Sequence, residues 1–576
     1  MPCDAVWRCW GAGRMATGER GRSARVREIC IKLKPIIGQQ ADRCWLAYIA
    51  EDDAGKDQIE SYLELAAAQH LRSSLSSDEP ALLPPEAHAA AGPYHLGTVS
   101  YNGRDLYPFG LREDEWTQHI GVFGRSGAGK TNLGFLIVQE LLAKEKPLLI
   151  FDWKRNYRDL VALPGFEGLA VYTIGRSIAP LSFNPLIPPP GTPPQTWLKK
   201  LIGVMAHAYL LGDGVMFLLQ EAIDDVYRNA GVYSGIVERW PTLRDVQTVL
   251  KKRPSMGREA GWMSSALRAL SSLCFGEMDV LLNQGHDDLG ALLNRPVILE
   301  LDALTQSDKV FFAQAVLLWI HHRRMVEPIR EAFKHAIILE EAHHVLSDER
   351  ASLVGGQSVM EITFREIREF GEAMIILDQH PSQISMPALG NTYCTICFNL
   401  KHRTDVSAMS QAMLLQEDEK AALADLQIGE AVVRLQGRSM KPFLLRVPEF
   451  TITKGAMTDV RVMHHMTKLG LLAVRHHAMG TRVVKPRAEM HERPDAGEIE
   501  FLRDVAAYPD GGVAERYKRL GFSVRLGERI KRTIAEKQLI EQEIQTTPRG
   551  KLRVIRLTEE GRLRVDQAHS RAAKAA

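Results

Sequence analysis

Lys130 and Thr131 follow a run of small residues, Gly124-Arg125-Ser126-Gly127-Ala128-Gly129, in a G-x4-G-K-T spacing. That spacing suits the cradling of phosphate oxygens. Glycines let successive backbone N–H groups turn inward, and a helix beginning at the lysine adds its positive end. The Lys130 ammonium then reaches the β- and γ-phosphates of ATP, the Thr131 hydroxyl holds Mg²⁺, and Asn132 closes the set of nucleotide contacts.

A second constellation is Glu340-Glu341-Ala342-His343, behind the apolar run Ala336 to Leu339. Here Glu340 would orient Mg²⁺ through its water shell, and Glu341 would polarise the attacking water as general base. Glu340 with His343 (an E-x-x-H spacing) or His344 could instead supply metal ligands, but that needs a helix and a second such motif. Ile337-Ile338-Leu339 reads as a strand. Gln379 follows another apolar run, where a carboxamide either contacts the γ-phosphate or caps the strand. Arg365 and Arg368 lie upstream of it. An arginine there serves as a finger toward a neighbouring subunit's nucleotide or as a structural ion pair.

These residues need a scaffold that ends several strands at one place. Apolar runs occur at 119–123, 147–151, 169–174, 296–301, 335–339, 373–377, 394–400, 430–434 and 442–447. Helical segments alternate with them, the pattern of an α/β protein with a largely parallel sheet. A proline-rich stretch opens a mainly helical insertion over 185–295. Residues 1–25 are Arg- and Gly-rich and read as disordered, whereas 26–92 read as helical, with a long helix over 54–75. A hairpin over 95–111 turns at Asn102-Gly103. Cys394 and Cys397 sit in an apolar run and read as buried thiols. The His pairs at 321–322, 464–465 and 476–477 stand in polar segments.

Composition excludes other classes. The 576 residues are 45% apolar and 25% charged, ordinary for a soluble globular protein. No stretch of 18 apolar residues suggests a membrane helix. Seven cysteines, odd in number and scattered, imply a reducing compartment, so a cytoplasmic protein is expected. The net charge of +2 hides an asymmetry: residues 511–576 carry 16 Lys and Arg against 8 Asp and Glu. A basic tail on a slightly acidic body suits a polyanion or a solvated face.

Taken in order, these motifs resemble the HerA/FtsK superfamily of DNA-pumping ATPases, its HerA branch in particular. The resemblance covers about residues 95–450. It rests on His119 to Thr131, Phe151-Asp152-Trp153-Lys154, Glu340 to His343, Glu366 to Gly371, Gln379 to Ser382 and Gly429-Glu430-Ala431. It implies a RecA-like P-loop core of the additional-strand type over 93–450. It also implies a homo-hexameric ring that moves duplex DNA, a nuclease partner, and Arg368 as the finger. His380 stands where that family has arginine, and Ile367 and Glu369 depart from its arginine motif.

Beyond a linker at 451–496, residues 497–576 read as a winged helix: three helices over 498–507, 512–520 and 524–537, then two strands. Arg525, Arg529, Lys531 and Arg532 on the third helix, with Arg549 and Lys551 on the wing, are the candidate DNA contacts. Such a domain also serves protein docking. The readings carried forward are an ATP-driven DNA translocase and an ATP-switched DNA-binding regulator. A conjugation or secretion ATPase shares the core.

Overall fold

The structure is a computed structural model that describes residues 17–71, 82–328, 330–347, 359–417, 419–439, 441–472, 496–537, 539–547, 550–563 and 565. Its core is one eleven-stranded sheet. The strands are β1 (Tyr94–Tyr101), β2 (Arg104–Leu111), β3 (Ile120–Phe123), β4 (Leu148–Asp152), β5 (Ala170–Thr173), β6 (Val297–Glu300), β7 (His335–Glu340), β8 (Glu372–Asp378), β9 (Cys394–Phe398), β10 (Glu430–Leu435) and β11 (Phe443–Arg446). Their spatial order is β2-β1-β11-β10-β9-β3-β8-β7-β4-β6-β5. Pairing is parallel from β9 to β5 and antiparallel from β9 outward to β2. Every residue of β3 to β9 is buried, as expected where helices cover both faces.

The sheet order puts β8 between β3, which leads into the glycine loop, and β7, which ends in the acidic pair. This is the RecA-like arrangement with an additional strand. Asn102 and Gly103, with φ of 50° and 77°, make the tight turn between β1 and β2. Helices at Pro194–Tyr209, Asp213–Asn229, Leu243–Lys252, Arg258–Leu273 and Gly276–Asn283 fill the insertion between β5 and β6. Cys394 and Cys397 are free and buried.

Three sequence expectations change. The first helix begins at Thr17, so residues 17–25 are not disordered. Their arginines find partners: Arg22 pairs with Asp57 and Glu60, and Arg25 with Glu64. Val26, Ile29 and Leu33 then pack against Leu63 and Ala67 of the helix Asp53–His70. Second, His321 and His322 are not in a polar segment but buried in the helix Gln306–Met325. Burial holds both imidazoles neutral, pushed down to about 4. The pair at 476–477 lies outside the described residues, while His465 bonds the Leu169 carbonyl at 2.9 Å.

Third, the expected linker is in part a strap on the core. Past β11, the Asn132 amide donates to the Pro448 carbonyl (2.8 Å) and accepts from the Phe450 N–H (2.7 Å). The Phe450 ring meets Phe135 and Phe166. The Asp159 carboxylate takes the N–H groups of Gly455 and Met457, both at 2.8 Å. The helix Asp459–Lys468 then lies along β5. Arg158 fastens it, bonding Asp459 at 2.7 Å and the Glu300 carboxylate at 2.6 Å. Glu300 is fully buried. Removing one partner of such a pair leaves an unpaired buried charge, so Glu300→Ala is expected to cost about 3 kcal/mol. A lowered thermal-unfolding midpoint would register it.

The C-terminal unit has helices at Ala496–Ala507, Val513–Arg519 and Val524–Glu536, then an antiparallel pair, β12 (Ile540–Thr547) and β13 (Gly550–Leu557). Ser523 caps the third helix through the Leu526 N–H. Phe501, Leu502, Tyr517, Ile530, Ile534 and Ile555 form its core. Arg516 is fully buried, bonded to Asp504 and to the carbonyls of Asp504 and Gly511.

Candidate functional site

β3 stops at Phe123, and the chain turns through Gly124 to Gly129 into the helix Lys130–Ala143. Two glycines are dictated by geometry. Gly124 (φ 152°) and Gly129 (φ 124°) back onto Phe398, where an added Cβ would stand 2.7 Å and 3.0 Å from that side chain. The loop is pinned by its neighbours: Gly124 N–H donates to the Asp378 carbonyl and Arg125 N–H to that of Asn399. The Arg125 guanidinium also bonds the Asn399 amide oxygen at 2.8 Å. Gly429, from the Gly-Glu-Ala string, donates to the Ala128 carbonyl. Ser126 and Gly127 stay exposed at the loop crest.

The Lys130 ammonium donates to the carbonyls of Gly124 (2.6 Å) and Arg125 (3.0 Å). Burial pulls its pKa down to about 8, against the pull of the nearby carboxylates. Thr131 is half-buried beside it. Asn132, expected among the nucleotide contacts, spends its amide on the strap instead.

Across the site, β7 ends in Glu340, which is buried. Burial raises its carboxyl to about 8, and the neighbouring Asp152 adds to the shift. Asn156 donates to it at 3.4 Å. No ion pair reaches Glu340 or Asp152 among the described residues. Two adjacent buried carboxyls of this kind suit a cation, and the Thr131 hydroxyl would complete an oxygen donor set for Mg²⁺. Asp152 accepts the N–H groups of Lys154, Asn156 and Tyr157, fixing the turn after β4.

Glu341 lies in the left-handed region, at φ 49°. Its carboxylate is held by the Lys154 ammonium and by the Gln379 amide, the latter at 2.6 Å. Behind it, Asp378 accepts the His343 N–H at 2.7 Å and its Nδ1 at 2.9 Å. Burial opposes charge on both groups, but the mutual bond outweighs it: His343 is raised and Asp378 lowered. His343 is therefore a buried partner of Asp378, and Glu340 ends a strand rather than sitting on a helix.

Arg368 is exposed on the turn Ile367–Phe370, just before β8 starts. Asp378 and the glycine loop lie at the other end of that strand, about 20 Å away at roughly 3.3 Å per residue. Arg368 does not meet its own chain's phosphate loop. His119 ties that region to β3: its Nε2 bonds the Phe364 carbonyl at 2.7 Å and its Nδ1 takes the Met374 N–H. Burial pushes this imidazole down to about 4.

In the C-terminal unit, Arg529 and Arg532 are exposed on the third helix, and Lys531 bonds Glu528 at 2.8 Å. Arg525 belongs to the same helix and Lys551 to β13, while Arg549 lies outside the described residues. Sequence reasoning assigned no site role to Asn156 or Asp378, weighed His343 only as a metal ligand beside Glu340, and gave Lys154 none beyond its place in the Asp152 motif. For Lys154 and Asn156 the signal was the polar run after β4.

Residues 94–187 match the family model for the central domain of the helicase HerA. A "Probable helicase" of Methanocaldococcus jannaschii is 21% identical over 339 residues, 58% of this chain and 63% of that protein. The chain thus spans less than two thirds of the length of that relative. Among solved structures, VirB4 of Thermoanaerobacter pseudethanolicus aligns with a TM-score of 0.50 at 16% identity, over 62% of this chain and 96% of that one. The bacterial conjugative coupling protein TrwB aligns at 0.47 and 12% identity, over 63% and 91%. The VirB4 likeness bears on the fold alone. With the ordered motifs, the additional strand β8 and the family match over residues 94–187, the core of this chain is similar to the HerA/FtsK group of P-loop ATPases.

Proposed function

We propose that the protein is an ATP-driven DNA translocase that works as a homo-hexameric ring. The observation that carries this reading is the convergence of Lys130, Glu341 and Gln379 at the ends of β3, β7 and β8. That convergence joins phosphate binding, water activation and phosphate sensing in one place. Lys130 would leave the loop carbonyls for the β/γ-phosphates, and Glu341 would take a proton from water as it attacks. Mg²⁺, held by Thr131 and Glu340, would neutralise phosphate charge.

Because Arg368 lies a strand's length from its own loop, a finger role requires a neighbouring subunit, which favours a ring. Arg529 and Arg532 would meet duplex phosphates from the C-terminal unit, read here as a winged helix. A nuclease partner and a cytoplasmic setting fit the same reading. No helix among the described residues is long and apolar enough to cross a membrane.

Steady-state ATP hydrolysis with and without long linear duplex DNA tests it. Stimulation of several-fold by DNA is expected. Slow hydrolysis indifferent to DNA would replace the motor with an ATP-switched regulator.

A further inference from the structure

The general base of the proposed reaction is tethered. Lys154 and Gln379 both bond the same oxygen of Glu341, Oε1, while Oε2 stands 3.9 Å from His343 Nδ1. Two donors on one oxygen fix the carboxylate's direction and draw its charge away from water. Lys154 is built to let go. Its backbone N–H is anchored on Asp152, yet its side chain is 52% exposed and ends a flexible four-carbon stem. It also stands close enough to Lys130 for the two ammonium charges to repel. A triphosphate between them would relieve that repulsion and offer Lys154 a stronger anion than one carboxylate.

We infer that Lys154 is a positioning residue that restrains Glu341 and, on arrival of a nucleoside triphosphate, exchanges the carboxylate for the γ-phosphate. This rests on Glu341 being the base of the proposed ATPase. Gln379 is the second hand of the same restraint, but it reaches from β8. Lys154 reaches from the turn after β4, so the two donors grip the carboxylate from opposite sides along the sheet. A diphosphate, lacking the third phosphate, would leave the tether in place.

The test uses the full chain with Lys154→Met and Lys154→Arg. With ATP bound the tether is already exchanged, so Lys154→Met should raise the KM for ATP about tenfold without any gain in kcat, and Lys154→Arg should recover most of that loss. A KM equal to native in Lys154→Met overturns the exchange and leaves the ATPase intact. Binding decides the case in which no protein, native included, turns over ATP, an outcome that removes the ATPase reading itself. Affinities for a non-hydrolysable ATP analogue and for ADP are compared by displacement of a fluorescent nucleotide. The native preference for the triphosphate should fall about tenfold in Lys154→Met, and an unchanged preference overturns the contact with the γ-phosphate.

Discussion

Glu341→Gln is expected to lower ATP turnover by about 10²- to 10⁴-fold, the usual contribution of a positioned general base. The substitution is nearly isosteric, and its amide oxygen can still accept from Lys154 and from Gln379. The left-handed backbone at 341 and the burial of Glu340 are untouched. Lost proton acceptance should therefore appear in the rate and not in the fold or in nucleotide affinity. Steady-state hydrolysis beside equilibrium binding of an ATP analogue separates the two. Retention of more than about a tenth of the native rate would place the base elsewhere.

Lys130→Ala should act one step earlier. The ammonium is held over the loop carbonyls, and burial already holds its pKa near 8. A triphosphate would restore its charge fully by giving it an anionic partner. Charge-assisted hydrogen bonds of this kind are worth about 1.5–3 kcal/mol each, so affinity should fall by roughly 10- to 150-fold. Fluorescent-nucleotide titration measures it. The circular dichroism spectrum should not change, since Lys130 bonds only backbone carbonyls that can turn to water. Undiminished activity in both variants would remove the site from this part of the fold.

The parallel strands were legible because burial on both faces makes each an unbroken apolar run, as in Ile337-Ile338-Leu339 and Met374-Ile375-Ile376-Leu377. The glycine loop was legible from spacing alone. Strand order was not: nothing in the periodicity of β8 says that it enters between β3 and β7, and only family resemblance pointed to an additional strand. The grip on Glu341 was hidden for the same reason, since Lys154 is 187 residues away from it in sequence. The strap contacts of Asn132 were hidden too: its position beside Thr131 suggests phosphate, while the partners of its side-chain amide lie more than 300 residues downstream. At the N-terminus, counting arginines without their acids turned a helix into apparent disorder.

The strap after β11 has a mechanical consequence. Its fastenings follow one another along the chain: the Asn132 amide beside the glycine loop, the Asp159 carboxylate, the Arg158 ion pair, and last the helix Asp459–Lys468 against β5. Tension applied at Leu472 would meet them in series from the far end. They would yield one at a time, as a zipper opens, and a pull of modest size would be spent on the distal teeth. Only a load sustained long enough to strip the helix and the ion pair would tug on the residue next to Thr131.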